Sequence, residues 1–265
     1  SRLKNGTRIH ILLPPAAGLQ PCLRIVKARF PFADLPGLVA CGAMSDDIRS
    51  VLEQAQIEKR SITVTGVPGL DKGFFVSCLT AGLPAHVLAA TNDISGLCDG
   101  SISRLIHLGR DLSFKNKILD LAPEWLVRGL LRPEEVSDLL GLCAEGRFKL
   151  LYGAHAALPA DHLLCLRMAV QAKHPGLVRE DIEKLISNAL DLYVHLDSSG
   201  KGVHELGTFT LGPDGILAPK PLVSRSMQND TDGLRHMRVK RDAPPPIETG
   251  KVPPQAFGST QEHEA

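Results

Sequence analysis

At 265 residues the chain is long enough for one sizeable α/β domain or a core with appendages, and its 43% hydrophobic content suffices for a buried core. With a formal net charge of +1 no global field argues for nucleic acid or membrane, and 4% aromatics weaken a base-stacking reading further. No apolar run approaches the roughly 18–20 residues of a membrane helix, and Ser1-Arg2-Leu3-Lys4-Asn5-Gly6 has no apolar signal-peptide core, so a soluble, cytoplasmic protein is expected.

Residues 7–13, apolar and β-branched, predict a strand stopped by Pro14-Pro15, and Cys22 to Lys27 predict a second, with Arg24, Lys27 and Arg29 on or beside it. A chain that opens on a strand suggests the end of an N-terminal domain whose start is missing. Ser45-Asp46-Asp47 caps a helix whose apolar positions Ile48, Val51, Leu52 and Ala55 repeat at helical spacing. The buried-strand pattern at 61–65 runs into Gly66-Val67-Pro68-Gly69-Leu70-Asp71-Lys72-Gly73 and then the apolar helix from Phe74 to Leu79. Strand, Gly-rich turn and helix is the layout of a phosphate-binding loop.

Further strands are predicted at 86–90, 125–131 and 149–153, with a helix opened by Pro133-Glu134-Glu135 between the last two. Helices at 160–172 and 179–190, a strand at 192–196, and a turn at Ser198-Ser199-Gly200-Lys201 into 203–211 follow. Strands alternating with helices imply a largely parallel sheet covered on both faces. From about Pro219 prolines (Pro244-Pro245-Pro246, Pro253-Pro254) and basic residues (Arg235, Arg238, Lys240, Arg241) cluster, and a disordered tail is expected. The six cysteines, at 22, 41, 78, 98, 143 and 165, form no C-x-x-C pair and read as reduced core thiols.

Five segments in order carry a family resemblance. They are Arg2 to His10 with Pro14-Pro15, the loop from Gly66 to Gly73, Gly129-Leu130-Leu131-Arg132-Pro133-Glu134-Glu135 through Leu140, Ala154-His155-Ala156, and Ala189-Leu190-Asp191-Leu192-Tyr193-Val194-His195-Leu196. Together they resemble the type II/type IV secretion ATPases, in particular the branch that assembles tight-adherence (Flp-type) pili. The resemblance implies a RecA-like P-loop NTPase core of mostly parallel sheet over residues 41–217. It places the remnant of an N-terminal domain at 1–40 and the Pro-rich, basic tail at 218–265. It also implies a ring-forming protein at the inner face of the cell membrane, with other secretion ATPase subunits and inner-membrane pilus or secretion proteins as partners, and no direct contact with nucleic acid.

Against the family's pattern the chemistry is depleted. A working loop reads G-x-x-x-x-G-K-[ST], with backbone amides around the phosphates, a lysine on the terminal ones and a hydroxyl on magnesium. Here Gly66, Gly69 and Lys72 remain, but the second glycine is Asp71 and the hydroxyl position is Gly73. At about 4 Å and an effective dielectric near 20, a carboxylate beside a phosphate opposes it by roughly 4 kcal/mol before screening. Lys72 is either a loose anion holder or an ordinary surface lysine. The glutamate expected after Gly129 is Leu130, which can neither hold metal-bound water nor accept a proton. Arg132 could meet a phosphate or form an exposed salt bridge. The acidic box falls on Thr91-Asn92-Asp93, where Thr91 is substituted and Asp93 is out of phase. His155 survives beside Ala157, which replaces the family's asparagine, and is a weak catalyst or a packing residue.

The resemblance therefore leaves three readings. The first is a degenerate pseudo-ATPase acting as a structural or regulatory subunit, with no cofactor. The second is an active, divergent ATPase that uses ATP and Mg2+ through Lys72, Asp93, Arg132 and His155. The third is an eroding gene product. Correlated loss across motifs beside an intact scaffold pattern favours the first.

Overall fold

Parallel strands covered by helices on both faces bury their side chains, polar ones included. In a computed structural model the described residues are 8–14, 20–26, 34–84, 88–91, 105–107, 120–199 and 202–224. Strands β1 (Arg8–Leu12) and β2 (Cys22–Val26) pair antiparallel as a separate two-stranded sheet. The main sheet contains β3 (Ile62–Gly66), β4 (Ala89–Thr91), β5 (Leu105–His107), β6 (Trp125–Arg128), β7 (Lys149–His155), β8 (Leu192–Leu196), β9 (Val203–Leu211) and β10 (Leu217–Ser224). Their order is β10-β9-β8-β3-β7-β6-β4-β5. From β8 to β5 every pairing is parallel, and β9 and β10 add an antiparallel ribbon at one edge. Every residue of β3 and of β8 is buried, as parallel strands covered on both faces require.

Period-two alternation sends side chains to two apolar layers. Ile62, Val64, Trp125, Val127, Leu151, Leu192 and Val194 face α1 (Leu35–Ala40), α2 (Asp46–Ile57) and α3 (Lys72–Ala81). Leu126, Leu150, Tyr152, Ala154 and Tyr193 face α4 (Pro133–Ala144), α5 (Pro159–Lys173) and α6 (Arg179–Ala189). Helix α2 starts where the sequence says it should: Ser45 Oγ accepts from the Ile48 amide at 3.3 Å, with Asp46 and Asp47 in the first turn.

Three expectations need correction. Residues 218–224, assigned by composition to the tail, form most of β10, because buried Glu183 accepts from the Leu217 amide and β9 supplies an antiparallel partner, with one register shift between Pro221 and Val223. Pro219 and Pro221 sit on the outer strand of the ribbon, where a missing donor is tolerated; the tail from 225 onward lies outside the described residues. Helix α1, placed upstream of the core by the boundary at 41, buries Leu35 and Leu38 in the same layer as α2 and α3. Of the thiols read as core residues, Cys78 and Cys143 are buried, Cys41 is half-buried, and Cys22 and Cys165 are exposed; Cys98 lies outside the described residues. Among the described residues no helix is long and apolar enough to cross a membrane.

Candidate functional site

The parallel strands all end on one side of the sheet, and open α/β sheets place ligands at that carboxyl edge. Gly66 ends β3, Thr91 ends β4, Gly129 and Leu130 follow β6, and His155 ends β7. Lys72 and Gly73 open α3, which starts beside them. The fold thus gathers these sequence-predicted residues along one edge, with Thr91 beside Val127 in the β4–β6 register. Asp93 lies outside the described residues.

The loop between β3 and α3 satisfies its own polar groups. Gly69 holds a φ of +95°, a conformation that favours glycine. The Lys72 amide donates to the Leu70 carbonyl at 3.0 Å, and Asp71 between them has φ −84° and ψ 66°, an inverse γ-turn. The Asp71 carboxylate then caps α3, accepting from the Phe74 amide at 2.9 Å, while the Phe75 amide goes to the Asp71 carbonyl. A negative group at the amino end of a helix is favoured by its dipole. Here the protein supplies that group itself.

Lys72 is neither a surface lysine nor an outstretched anion holder. It is 2% exposed, and its Nζ donates to the carbonyls of Gly66 at 3.0 Å and Val67 at 2.8 Å. The side chain folds back over the turn that precedes it. Beneath it the chain just after β6 lies tight against β7: a Cβ on Gly153 would run into the Gly129 carbonyl oxygen and crowd Lys72 Cβ. A Cβ on Gly73 would meet only ordinary contacts at 3.7–3.9 Å, so the position has room for a side chain although it carries none.

Leu130 stands 38% exposed at the edge and offers no ligand atom. Arg132 is exposed at the amino end of α4, where its amide, not its guanidinium, donates to Glu135 Oε2 at 2.8 Å. The ion pair with Glu135 is made instead by Arg128, at 3.5 Å. Sequence reading passed over Arg128, although its place one residue before Gly129 put it at the same edge. His155 is exposed and opposite Gly66 in the β3–β7 register. Burial, and then the Lys72 charge, hold its imidazole below the usual histidine range.

Also overlooked were Thr65, His195 and His204. Thr65 Oγ1 lies 2.9 Å from His195 Nδ1, and the His195 and His204 rings are 6.2 Å apart, edge to face. The signal was present for one of them, since His195 sits in the closing segment of the family resemblance, but its partners are joined to it only by the fold.

No family model and no curated protein matches the sequence. Solved structures do match. The VirB11 ATPase from the Brucella suis type IV secretion system, solved in complex with sulphate, superposes with a TM-score of 0.55 at 22% identity. The match spans 81% of this chain and 76% of that one. The chain has the fold of a type IV secretion ATPase. The DotB ATPase of Legionella pneumophila gives a TM-score of 0.46 at 13% identity, over 81% of this chain and 56% of DotB. With the VirB11 superposition and the parallel strand order, the expectation of a RecA-like α/β core with a mostly parallel sheet holds.

Within this secretion-ATPase fold the residues present do not fit a magnesium–triphosphate group. The amides of Lys72 and Phe74 are bonded to Leu70 and Asp71, Lys72 Nζ is held by two carbonyls, position 73 has no hydroxyl, and position 130 has no carboxylate. Among the described residues no group of three or more His, Cys, Asp or Glu side chains is arranged to hold a metal ion.

Proposed function

We propose that the protein is a non-hydrolysing, secretion-ATPase-like subunit that serves a Flp pilus or type II/type IV secretion apparatus as a structural or regulatory component. One observation carries the reading: the Asp71 carboxylate caps α3 while Lys72 ties down its own turn, so the loop is complete without a phosphate. The secretion-ATPase fold supports the choice of apparatus, and the segment resemblance supports the pilus branch. On this reading the partners are secretion ATPase subunits, in a homo- or hetero-oligomer, and inner-membrane pilus or secretion proteins. The protein would then work in the cytoplasm, at the inner face of the membrane. The pairing of β1 and β2 apart from the main sheet supports reading the first part of the chain as the end of an N-terminal domain.

Titration of the purified chain with a fluorescent ATP analogue, with and without magnesium, tests the reading. No saturable binding is expected up to about 1 mM, the range in which affinity is only about 4 kcal/mol. The double variant D71G/G73T, which removes the resident carboxylate and fills the tolerant position with a hydroxyl, should gain binding. Magnesium-dependent ATP turnover by the unmodified protein would sink the proposal in favour of an active, divergent ATPase.

A further inference from the structure

A surface helix ordinarily turns an apolar stripe to the core and a polar face to water. Helices α2 and α6 keep that rule. Beside their buried stripes they expose Asp47, Glu53 and Gln54, and Glu180, Lys184 and Asn188, with Ile57 at the very end of α2 the one large apolar residue out in water. Helix α5 breaks it. Its inner side buries His162, Leu163, Leu166 and Val170. On the other side Leu164 and Met168 are 54% and 64% exposed, and Leu158 at the N-cap is 58% exposed. Cys165 and Ala172 are exposed with them. A helix that is apolar on both sides is built to be covered on both.

The spacing fixes what kind of surface covers it. At 3.6 residues per turn Asp161, Cys165, Met168 and Ala172 form a seam about 60° wide, with Leu158 and Leu164 on its flanks. Steps of four, three and four residues are those with which one helix packs along another at a shallow angle. The seam alternates in size, with small Cys165 and Ala172 between larger Asp161 and Met168. An antiparallel copy sets small against large, Cys165 of one helix facing Met168 of the other and Ala172 facing Asp161. A parallel copy would set Asp161 against Asp161. Charge points the same way. Asp161 is the seam's ionisable residue, at the amino end, with one carboxylate oxygen accepting from the Leu158 amide at 2.9 Å. Lys173 stands in the last turn, beside Asp138 of α4. Reversal brings Asp161 to the end that carries Lys173 and sets the two helix dipoles head to tail.

We propose that the outer face of α5 docks a second copy of this chain, the two α5 helices running antiparallel about a two-fold axis that passes between Cys165 and Met168. One patch then serves both copies, as a two-fold contact requires. A single helix against a single helix is smaller than the roughly 800 Å² per partner of a standard interface, so the dimer is weak and forms as concentration rises. The contact goes beyond the function proposed above. It uses no residue of the loop between β3 and α3, so a chain that turned over ATP could still pair this way, and a chain that stayed single could still be a non-hydrolysing subunit.

Sedimentation equilibrium of the full chain between about 5 µM and about 500 µM tests the pairing, and the average mass should climb from one chain toward two. M168E sets a carboxylate in the middle of the seam at a position exposed in the single chain, where substitutions rarely disturb the fold. It should weaken the dimer at least about tenfold, as an unpaired charge closed into an interface does. Should M168E fail to fold, L164E on the flank gives the same reading. Direction is read from D161N, which keeps an acceptor for the Leu158 amide and removes the charge. An antiparallel dimer loses two surface attractions and weakens about threefold; a parallel one loses a repulsion and tightens. A chain that stays single throughout assigns the face to a different protein and overturns the proposal. So does a dimer indifferent to M168E and L164E, or one that D161N leaves as tight or tighter.

Discussion

Lys72 shows how a residue kept in sequence can change its task. In the phosphate-loop layout the ammonium reaches outward to an anion; here it reaches back to the carbonyls of Gly66 and Val67 and is buried with them. Hydrogen bonds to a charged donor contribute about 1.5–3 kcal/mol, and buried carbonyls left without a partner cost a further share. K72A should therefore lower unfolding free energy by about 3 kcal/mol, read from urea denaturation, and under the proposed function it should have no nucleotide affinity to lose. A K72A protein as stable as the parent would show that the two carbonyls do not depend on the ammonium. The lysine was visible in the sequence, but its direction was not. The γ-turn at Asp71 and the approach of Gly129 to Gly153 that turn it inward are set by the meeting of β3, β6, β7 and α3. The same holds for His195, whose partner Thr65 is far away in the chain.

Among the elements, caps and apolar stripes made most of the sheet and helices legible. Ser45 before α2, Pro133 at the start of α4, and the buried runs of β3 and β8 each give a local signal that the fold then uses. Strand β10 fails that rule, because its prolines and exposed side chains read as tail. What makes it a strand is remote. Glu183 on α6, 1% exposed, receives Arg167 of α5 through two nitrogens at 2.7 and 3.0 Å and the Leu217 amide at 3.0 Å. Arg167 donates in turn to the Leu217 carbonyl. Removing one member of such a buried pair strands the other, a loss of about 3–5 kcal/mol. E183A should show that loss in chemical denaturation, together with faster amide exchange along β10 than along β8. A cost below about 1 kcal/mol would assign β10 to its pairing with β9 alone.

At the scale of the whole molecule, acid should weaken the fold through a buried histidine. His162 is enclosed between α5 and the sheet, and burial lowers its pKa from 6.5 to about 4. The native ring stays neutral while the unfolded chain takes up a proton, so the unfolded state binds more protons between these values and stability rises with pH across that window. Its contribution is intact above the unfolded value and is lost as pH falls through the native one, a total of about 3 kcal/mol. H162N should flatten the pH dependence of thermal unfolding between about pH 6.5 and pH 4. A profile unchanged by the substitution would place the acid sensitivity elsewhere.

The self-capped loop has a consequence for how such a subunit would live in a cell. Ligands that bind only the native state add stability that grows with the logarithm of their concentration once it exceeds Kd, and a nucleotide-dependent motor therefore softens when its fuel runs low. A chain whose helix cap is Asp71 and whose turn is clasped by Lys72 carries the stand-in covalently, at constant supply. Under the proposed function it would keep one shape in feast and famine alike, a useful property in a part meant to hold a machine together while its engines idle.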